Sequence, residues 1–177
     1  MKEQAMEIFS WGKNVNVKIP ISNTKGESTV DLIRFLSKQG VVCNVTAIFT
    51  VEQIKNVVSH LDPSTPAILS VFAGRIADSG IDPMSIMKKS VSISKMKPKS
   101  EILWASTREI INIFQAEKMG CHIITVPHEI LKKIGNIGKS LEDFSLDTVR
   151  SFYKDAISAE YKIKLKSLLK SPFCVVA

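Results

Sequence analysis

Residues 14–22 read NVNVKIPIS, a short apolar strand interrupted by one lysine and closed by Pro20. Alternation along a strand sets Val15, Val17 and Ile19 on one face and Asn16 and Lys18 on the other. Proline cannot continue the ladder, so Lys18 falls close to the strand's C-terminal end. On a parallel α/β scaffold that end is where chemistry collects. Desolvation and neighbouring cations favour a neutral lysine amine, which can attack a carbonyl. The plainer reading of Lys18 is a strand-end lysine whose stem lies on apolar surface while its ammonium reaches solvent. The rest of the chain decides between the two.

Outward from this strand, apolar runs alternate with amphipathic segments. Strands are expected over residues 15–19, 41–47, 67–72, 101–105 and 121–126. Helical spacing covers residues 3–10, 27–39, 51–60, 83–96, 108–119 and 128–134, with a further stretch, continuous or broken, over 146–169. Thr50 ahead of VEQIKNVV, with Gln53 three residues on, has the pattern of a capping box. Asp82 before Pro83 reads as an N-cap followed by proline at the first helical position. Gly40 and Gly120 suit the C-terminal caps of the helices before them. Five βα units with nearly continuous apolar strands argue for a parallel sheet covered by helices. An open doubly wound sheet and part of a closed barrel both fit this pattern. The lack of a GxGxxG or Walker A sequence after any strand weighs against a nucleotide-binding sheet.

The chain has 177 residues, 45% hydrophobic and 23% charged, which suits a single domain over 1–177 with a sizeable core. No apolar run is long enough to span a bilayer. The opening MKEQAMEIFSWG lacks the cationic-then-apolar pattern of a secretory signal, so a cytoplasmic location is expected. The net charge of +7 is spread along the chain, with local clusters at Lys95–Lys99 and Lys162–Lys170. Neither nucleic acid nor membrane is expected as a partner, since basic residues are not interleaved with aromatics on one face. Attraction for anionic metabolites is the reading preferred. The basic tail, 162–177, leaves open an amphipathic helix that touches a membrane or a partner. Cys43, Cys121 and Cys174 lack CxxC spacing and read as reduced thiols, and His60, His122 and His128 form no HExxH pair, so no metal is expected.

Polar residues recur at strand ends. In VVCNVTAIF (41–49), Val42, Asn44 and Thr46 share a face opposite Val41, Cys43 and Val45. An amide and a hydroxyl there serve either internal hydrogen bonding or substrate binding. After the third strand, Arg75 follows a small-residue turn and is placed to reach an anion above the sheet. The next strand ends in WASTRE, setting Ser106 and Arg108 just before or at a helix N-terminus. Hydroxyl, guanidinium and helix-start amides together make a phosphate site.

VKIPIS (17–22), NVTAIFTVEQ (44–53), SVFAGRIADSGID (70–82), ILWASTRE (102–109) and GCHIITVP (120–127) resemble, in order, successive blocks of the transaldolase family. That family includes transaldolases and fructose-6-phosphate aldolases. The resemblance covers roughly residues 1–160 and implies an α/β fold of the (β/α)8 TIM-barrel type, here about five parallel βα units, strands four to eight, with C-terminal helices. It implies class I chemistry, in which a lysine forms a Schiff base with a sugar carbonyl without metal or other cofactor. By position, Lys18 matches the Schiff-base lysine. Asn44 and Thr46 match the polar pair that holds substrate hydroxyls and the catalytic water. Arg75, Ser106 and Arg108 match the groups that bind the sugar phosphate. Phe72 stands where transaldolases tend to have phenylalanine and the aldolases tyrosine, which favours transfer of a dihydroxyacetone unit. The partners implied are fructose 6-phosphate, sedoheptulose 7-phosphate, glyceraldehyde 3-phosphate and erythrose 4-phosphate. Small family members assemble into rings through C-terminal helices, so residues 146–169 carry the expectation of a homo-oligomer.

The match begins late. The family has three βα units ahead of the lysine strand, whereas here only the helix at 3–10 precedes it. The expectation is therefore an N-terminally truncated barrel, with Met1 an internal start. No residue is assigned to the proton-handling roles those units carry. Two further functions stay beside transfer: an impaired remnant that binds sugar phosphate or serves in assembly, and a fructose-6-phosphate aldolase.

Overall fold

The computed structural model describes residues 1–160; the basic tail, Cys174 and the end of the helical stretch expected over 146–169 lie outside the described residues. The described chain runs α1 (Lys2–Ser10), β1 (Val17–Pro20), α2 (Val30–Lys38), β2 (Cys43–Ile48), α3 (Val51–His60), β3 (Ala67–Val71), α4 (Ala73–Asp78), α5 (Met84–Ser94), β4 (Ser100–Trp104), α6 (Ile111–Met119), β5 (Ile123–Ile124), α7 (His128–Leu131) and α8 (Leu141–Ser158). It divides into two compact units, Met1–Gly135 and a second beginning at Asn136.

In the first unit the five strands form one parallel sheet in the order β1-β2-β3-β4-β5. Each strand pairs with the next in sequence. A doubly wound sheet reverses its order at a switch point, and no reversal occurs here. Sequential order is that of a barrel wall. Alternation gives the sheet two faces. Val17, Ile19, Cys43, Val45, Leu69, Val71, Ile102 and Trp104 are buried in one core with Ile33, Leu36, Ile54, Val57 and Met87 of the helices. Each such side chain contributes about 1.5–3 kcal/mol of burial. Asn16 and Lys18 are exposed, while Val42, Asn44 and Thr46 are half-buried on the opposite face.

Several expected elements shift, each for a local reason. The helix expected over 27–39 starts at Val30, because Asn23 Oδ1 accepts from the amides of Lys25 and Glu27 at 2.9 and 3.0 Å and holds a turn ahead of it. Where a small-residue turn was expected around Arg75, the short helix α4 forms. α5 begins at Met84, one residue later than expected; Asp82 Oδ1 accepts from the Met84 amide at 2.9 Å and Pro83 occupies the cap. The strand expected over 121–126 pairs regularly only at Ile123–Ile124. The helix expected over 128–134 breaks into α7 and a 3₁₀ turn at Ile134–Asn136. The capping box at α3 is complete: the Gln53 amide donates to Thr50 Oγ1 at 3.2 Å and the Thr50 amide donates to Gln53 Oε1 at 3.1 Å. Gly40 and Gly120 turn out of their helices at φ of +79° and +76°, a region that costs glycine least.

The second unit contains α8, capped by Ser140, whose hydroxyl accepts from the Asp143 amide at 3.0 Å. Lys139 ion-pairs with Asp147, and this bond holds the Asp147 carboxyl below the usual carboxylate range. Among the described residues no helix is long and apolar enough to cross a membrane.

Candidate active site

Lys18 and Asn44 are direct partners in the parallel register of β1 and β2, so both side chains leave the sheet on the same face. A cleft of about 250 Å³ opens over this face at the C-terminal ends of the strands. It is lined by Lys18, Asn44, Ser70, Phe72, Arg75 and Ser106, with Leu103, Ala105 and Thr125 completing the wall. Five of the seven residues singled out in the sequence therefore meet in one place. Lys18 supplies the one amine that lines the cleft, and the described lining holds neither carboxylate nor imidazole.

Ser70 Oγ donates to Asn44 Oδ1 at 2.7 Å. With its oxygen engaged, Asn44 has its NH₂ left to offer to a ligand oxygen. Thr46 does not line the cleft, but its Oγ1 is buried without a hydrogen-bond partner among the described residues. An unpaired buried hydroxyl costs about 1–3 kcal/mol, and a water or ligand oxygen would relieve that cost. Thr46 sits where β2 loses its register, between Val45 and Ile48, and the next residue, Ala47, has φ +59°. Ser106, at the end of β4, has φ +64°. Left-handed backbone at non-glycine residues is strained, and here it occurs near the C-terminal end of β2 and just beyond β4, where Ser106 lines the cleft.

Arg75 and Ser106 are brought together by a backbone contact that only glycine permits. A Cβ on Gly74 would lie 1.5 Å from the Ser106 carbonyl oxygen. α4 is thus pressed directly against the loop after β4, and the Gly74 amide donates to the Ala105 carbonyl at 3.4 Å. The Arg75 guanidinium lies 5.2 Å from the Phe72 ring centroid, a cation–π geometry. Thr107 Oγ1 donates to the Thr125 carbonyl at 2.7 Å and ties the same loop to the end of β5.

Arg108 departs from expectation. It does not line the cleft, and its Nη2 donates to Asp78 Oδ2 at 2.6 Å. The helix-start amides expected to receive a phosphate are also engaged. Asn112, nearly buried, accepts from the amides of Arg108 and Glu109, each at 3.0 Å, and α6 begins only at Ile111. An anion in this cleft would meet side chains rather than helix-start amides.

Ser70 and Thr125 were not singled out in the sequence. Their signal was a hydroxyl residue at an inner-face position of an apolar strand, the same pattern that marked Asn44. The remaining reactive groups are occupied otherwise. Burial pushes the Cys43 thiol up to about 12 and the Cys121 thiol up to about 11, so neither is a thiolate at neutral pH. His122 Nδ1 accepts from the Ile102 amide at 3.0 Å, a structural bond within the sheet. No cluster of three or more His, Cys, Asp or Glu suited to a metal occurs among the described residues.

A sequence model of the family described as Transaldolase/Fructose-6-phosphate aldolase matches residues 1–169. A probable transaldolase from a Thermoanaerobacter species is 31% identical over 157 residues, covering 88% of this chain and 68% of its own length. One from Caldicellulosiruptor saccharolyticus is 35% identical over 136 residues, 76% of this chain and 59% of its own. A probable transaldolase 2 from Listeria monocytogenes is 32% identical over 151 residues, 83% of this chain and 66% of its own. The chain thus spans between 59% and 68% of the length of these relatives.

Proposed function

The chain belongs to the transaldolase/fructose-6-phosphate aldolase family, and from that premise we propose that it contributes the Schiff-base half of a transaldolase site, moving a dihydroxyacetone unit between phosphorylated sugars. The observation that carries this reading is the convergence of Lys18, Asn44, Arg75 and Ser106 on one cleft at the strand ends. In this reading residues 1–177 form one partial barrel corresponding to strands four to eight of the family. A cytoplasmic location and a homo-oligomer built through 146–169 belong to the same reading.

The Lys18 amine attacks the ketose carbonyl of fructose 6-phosphate, and loss of water leaves an iminium. The iminium draws electrons from the bond between the third and fourth sugar carbons. As the hydroxyl on the fourth carbon gives up its proton, that bond breaks and glyceraldehyde 3-phosphate leaves. The three-carbon fragment remains on Lys18 as an enamine until an acceptor aldehyde, such as erythrose 4-phosphate, is attacked. Hydrolysis then frees sedoheptulose 7-phosphate and the amine. Asn44 donates to a substrate hydroxyl, and Thr46 holds the water that enters and leaves. Arg75 and Ser106 grip the phosphate from the cleft lining, and Arg108, which stands outside that lining beside Asp78, joins them when the phosphate binds; the remote binding energy orients the reacting carbon. Phe72 offers no hydroxyl to assist release of free dihydroxyacetone, which favours transfer over the aldolase reaction.

A second reading has its own support. No carboxylate or imidazole lines the described cleft. General acid–base help is worth about 10²–10⁴-fold, so imine formation without it would outlast turnover. That is an impaired remnant that binds sugar phosphate or serves in assembly. Incubation with fructose 6-phosphate and erythrose 4-phosphate, read by mass spectrometry, separates these readings. Sedoheptulose 7-phosphate formed only with the acceptor supports transfer. Free dihydroxyacetone without acceptor would replace transfer with the aldolase reaction, and no product from either would leave the remnant.

A further inference from the structure

Arg75 and Arg108 approach the same loop but stand in different electrostatic settings. Among the described residues Arg75 has no ion-pair partner and lies over Phe72, whereas Arg108 is paired with Asp78. Arg108 Nη2 donates to Asp78 Oδ2 at 2.6 Å, with both side chains about half exposed. The Arg108 stem is confined as well: its Cγ lies 3.1 Å from where a Cβ on Gly74 would stand, so the chain crosses α4 at the glycine. The Arg108 amide is fixed by Asn112. Backbone and guanidinium are therefore each held by a separate hydrogen bond, and the stem runs beside Gly74.

We propose that Asp78 is a positioning residue that preorganises Arg108 for the phosphate of the sugar and so raises selectivity for phosphorylated over unphosphorylated ketose. The proposal rests on the phosphate-binding role given to Arg108 above. A free arginine must surrender its rotamer freedom when an anion binds. Asp78 takes one N–H of Nη2 and leaves the remaining donors of the fork, which suffice for a bidentate phosphate contact. As a simple surface ion pair it would add little stability. The two roles differ in sign. A carboxylate near the site that only repels the dianion would, on removal, strengthen phosphate binding. A carboxylate that holds Arg108 in place would, on removal, weaken it.

The test is calorimetric titration of the full chain with fructose 6-phosphate and, separately, with fructose. The ratio of the two affinities is the readout. Asp78→Ala is expected to lower that ratio about fivefold to tenfold, the scale of one charge-assisted contact. Asp78→Asn, whose side-chain oxygen accepts the same bond, recovers most of it. In an Arg108→Ala background, Asp78→Ala has no further effect, because the group it positions is gone. An unchanged or increased ratio in Asp78→Ala overturns the proposal while leaving phosphate binding intact. A native chain that does not distinguish fructose 6-phosphate from fructose overturns both, and the native titration alone shows it.

Discussion

On the helix-covered face of the sheet, Cys43, Val45, Leu69 and Ile102 are fully removed from solvent, whereas on the other face of the same sheet Lys18 is exposed and Asn44 half-buried. The two faces are built from alternate residues of one peptide, yet they answer to different physics. The covered face gains stability from dry, close-packed apolar contact. The open face keeps an amine, an amide, hydroxyls and a guanidinium within reach of a ligand, at the cost of an unpaired Thr46 hydroxyl. The period of two along a strand is what allows four or five residues to serve both purposes. Substitutions on one face should therefore move chemistry without stability, and those on the other stability without chemistry.

The largest expected effect is at Lys18. Lys18→Ala abolishes covalent capture of sugar altogether, while urea unfolding shifts by no more than about 0.5 kcal/mol, as for other exposed positions. A large loss of stability would mean that the two faces are not separable. Next is Leu69→Ala on the covered face, expected to cost about 2–5 kcal/mol in the same unfolding measurement. Gly74→Ala joins the two faces, because its Cβ would collide with the Ser106 carbonyl. A backbone shift there should cost about 1–3 kcal/mol and weaken fructose 6-phosphate binding together, read by unfolding and calorimetry on the same sample.

The smallest effect is one of pH. The Cys43 thiol is raised from an ordinary 9.0 to about 12 by burial, so between these values the unfolded chain loses a proton that the folded chain keeps. Stability is fully present below pH 9.0 and falls as pH rises towards 12. At pH 10 the loss from this group is on the order of 1 kcal/mol. Unfolding midpoints measured from pH 8 to pH 10 should show this decline, and Cys43→Ala should remove about half of it, because the raised Cys121 thiol contributes a similar loss over the same range. A decline unaltered in Cys43→Ala would assign it to other groups.

Much of this comparison was legible in the sequence, because the alternation around Lys18 and through VVCNVTAIF is a local property. The Thr50–Gln53 cap was legible for the same reason, since all its partners lie within four residues. The failures were tertiary. Asp78 and Arg108 meet across 30 positions, and nothing in either neighbourhood announces the pair. Asn112 takes the amides of Arg108 and Glu109, which delays α6 to Ile111 and removes the expected anion site at its start. α4 was hidden because FAGRIAD reads as a turn of small residues until Gly74 is pressed against Ser106. Ser70 in AILSV differs: its position in the alternation matches that of Asn44, but a lone serine in an apolar strand is a weak local signal.

Whether Lys18 is the nucleophile is decided by borohydride reduction in the presence of fructose 6-phosphate, followed by peptide mass mapping of the native chain and of Lys18→Ala. A reduced three-carbon or sugar adduct is expected on the peptide bearing Lys18 in the native chain, and none in the variant. A folded native chain that acquires no adduct, or acquires it on another lysine, would contradict the assignment of Lys18 as the nucleophile of the open face.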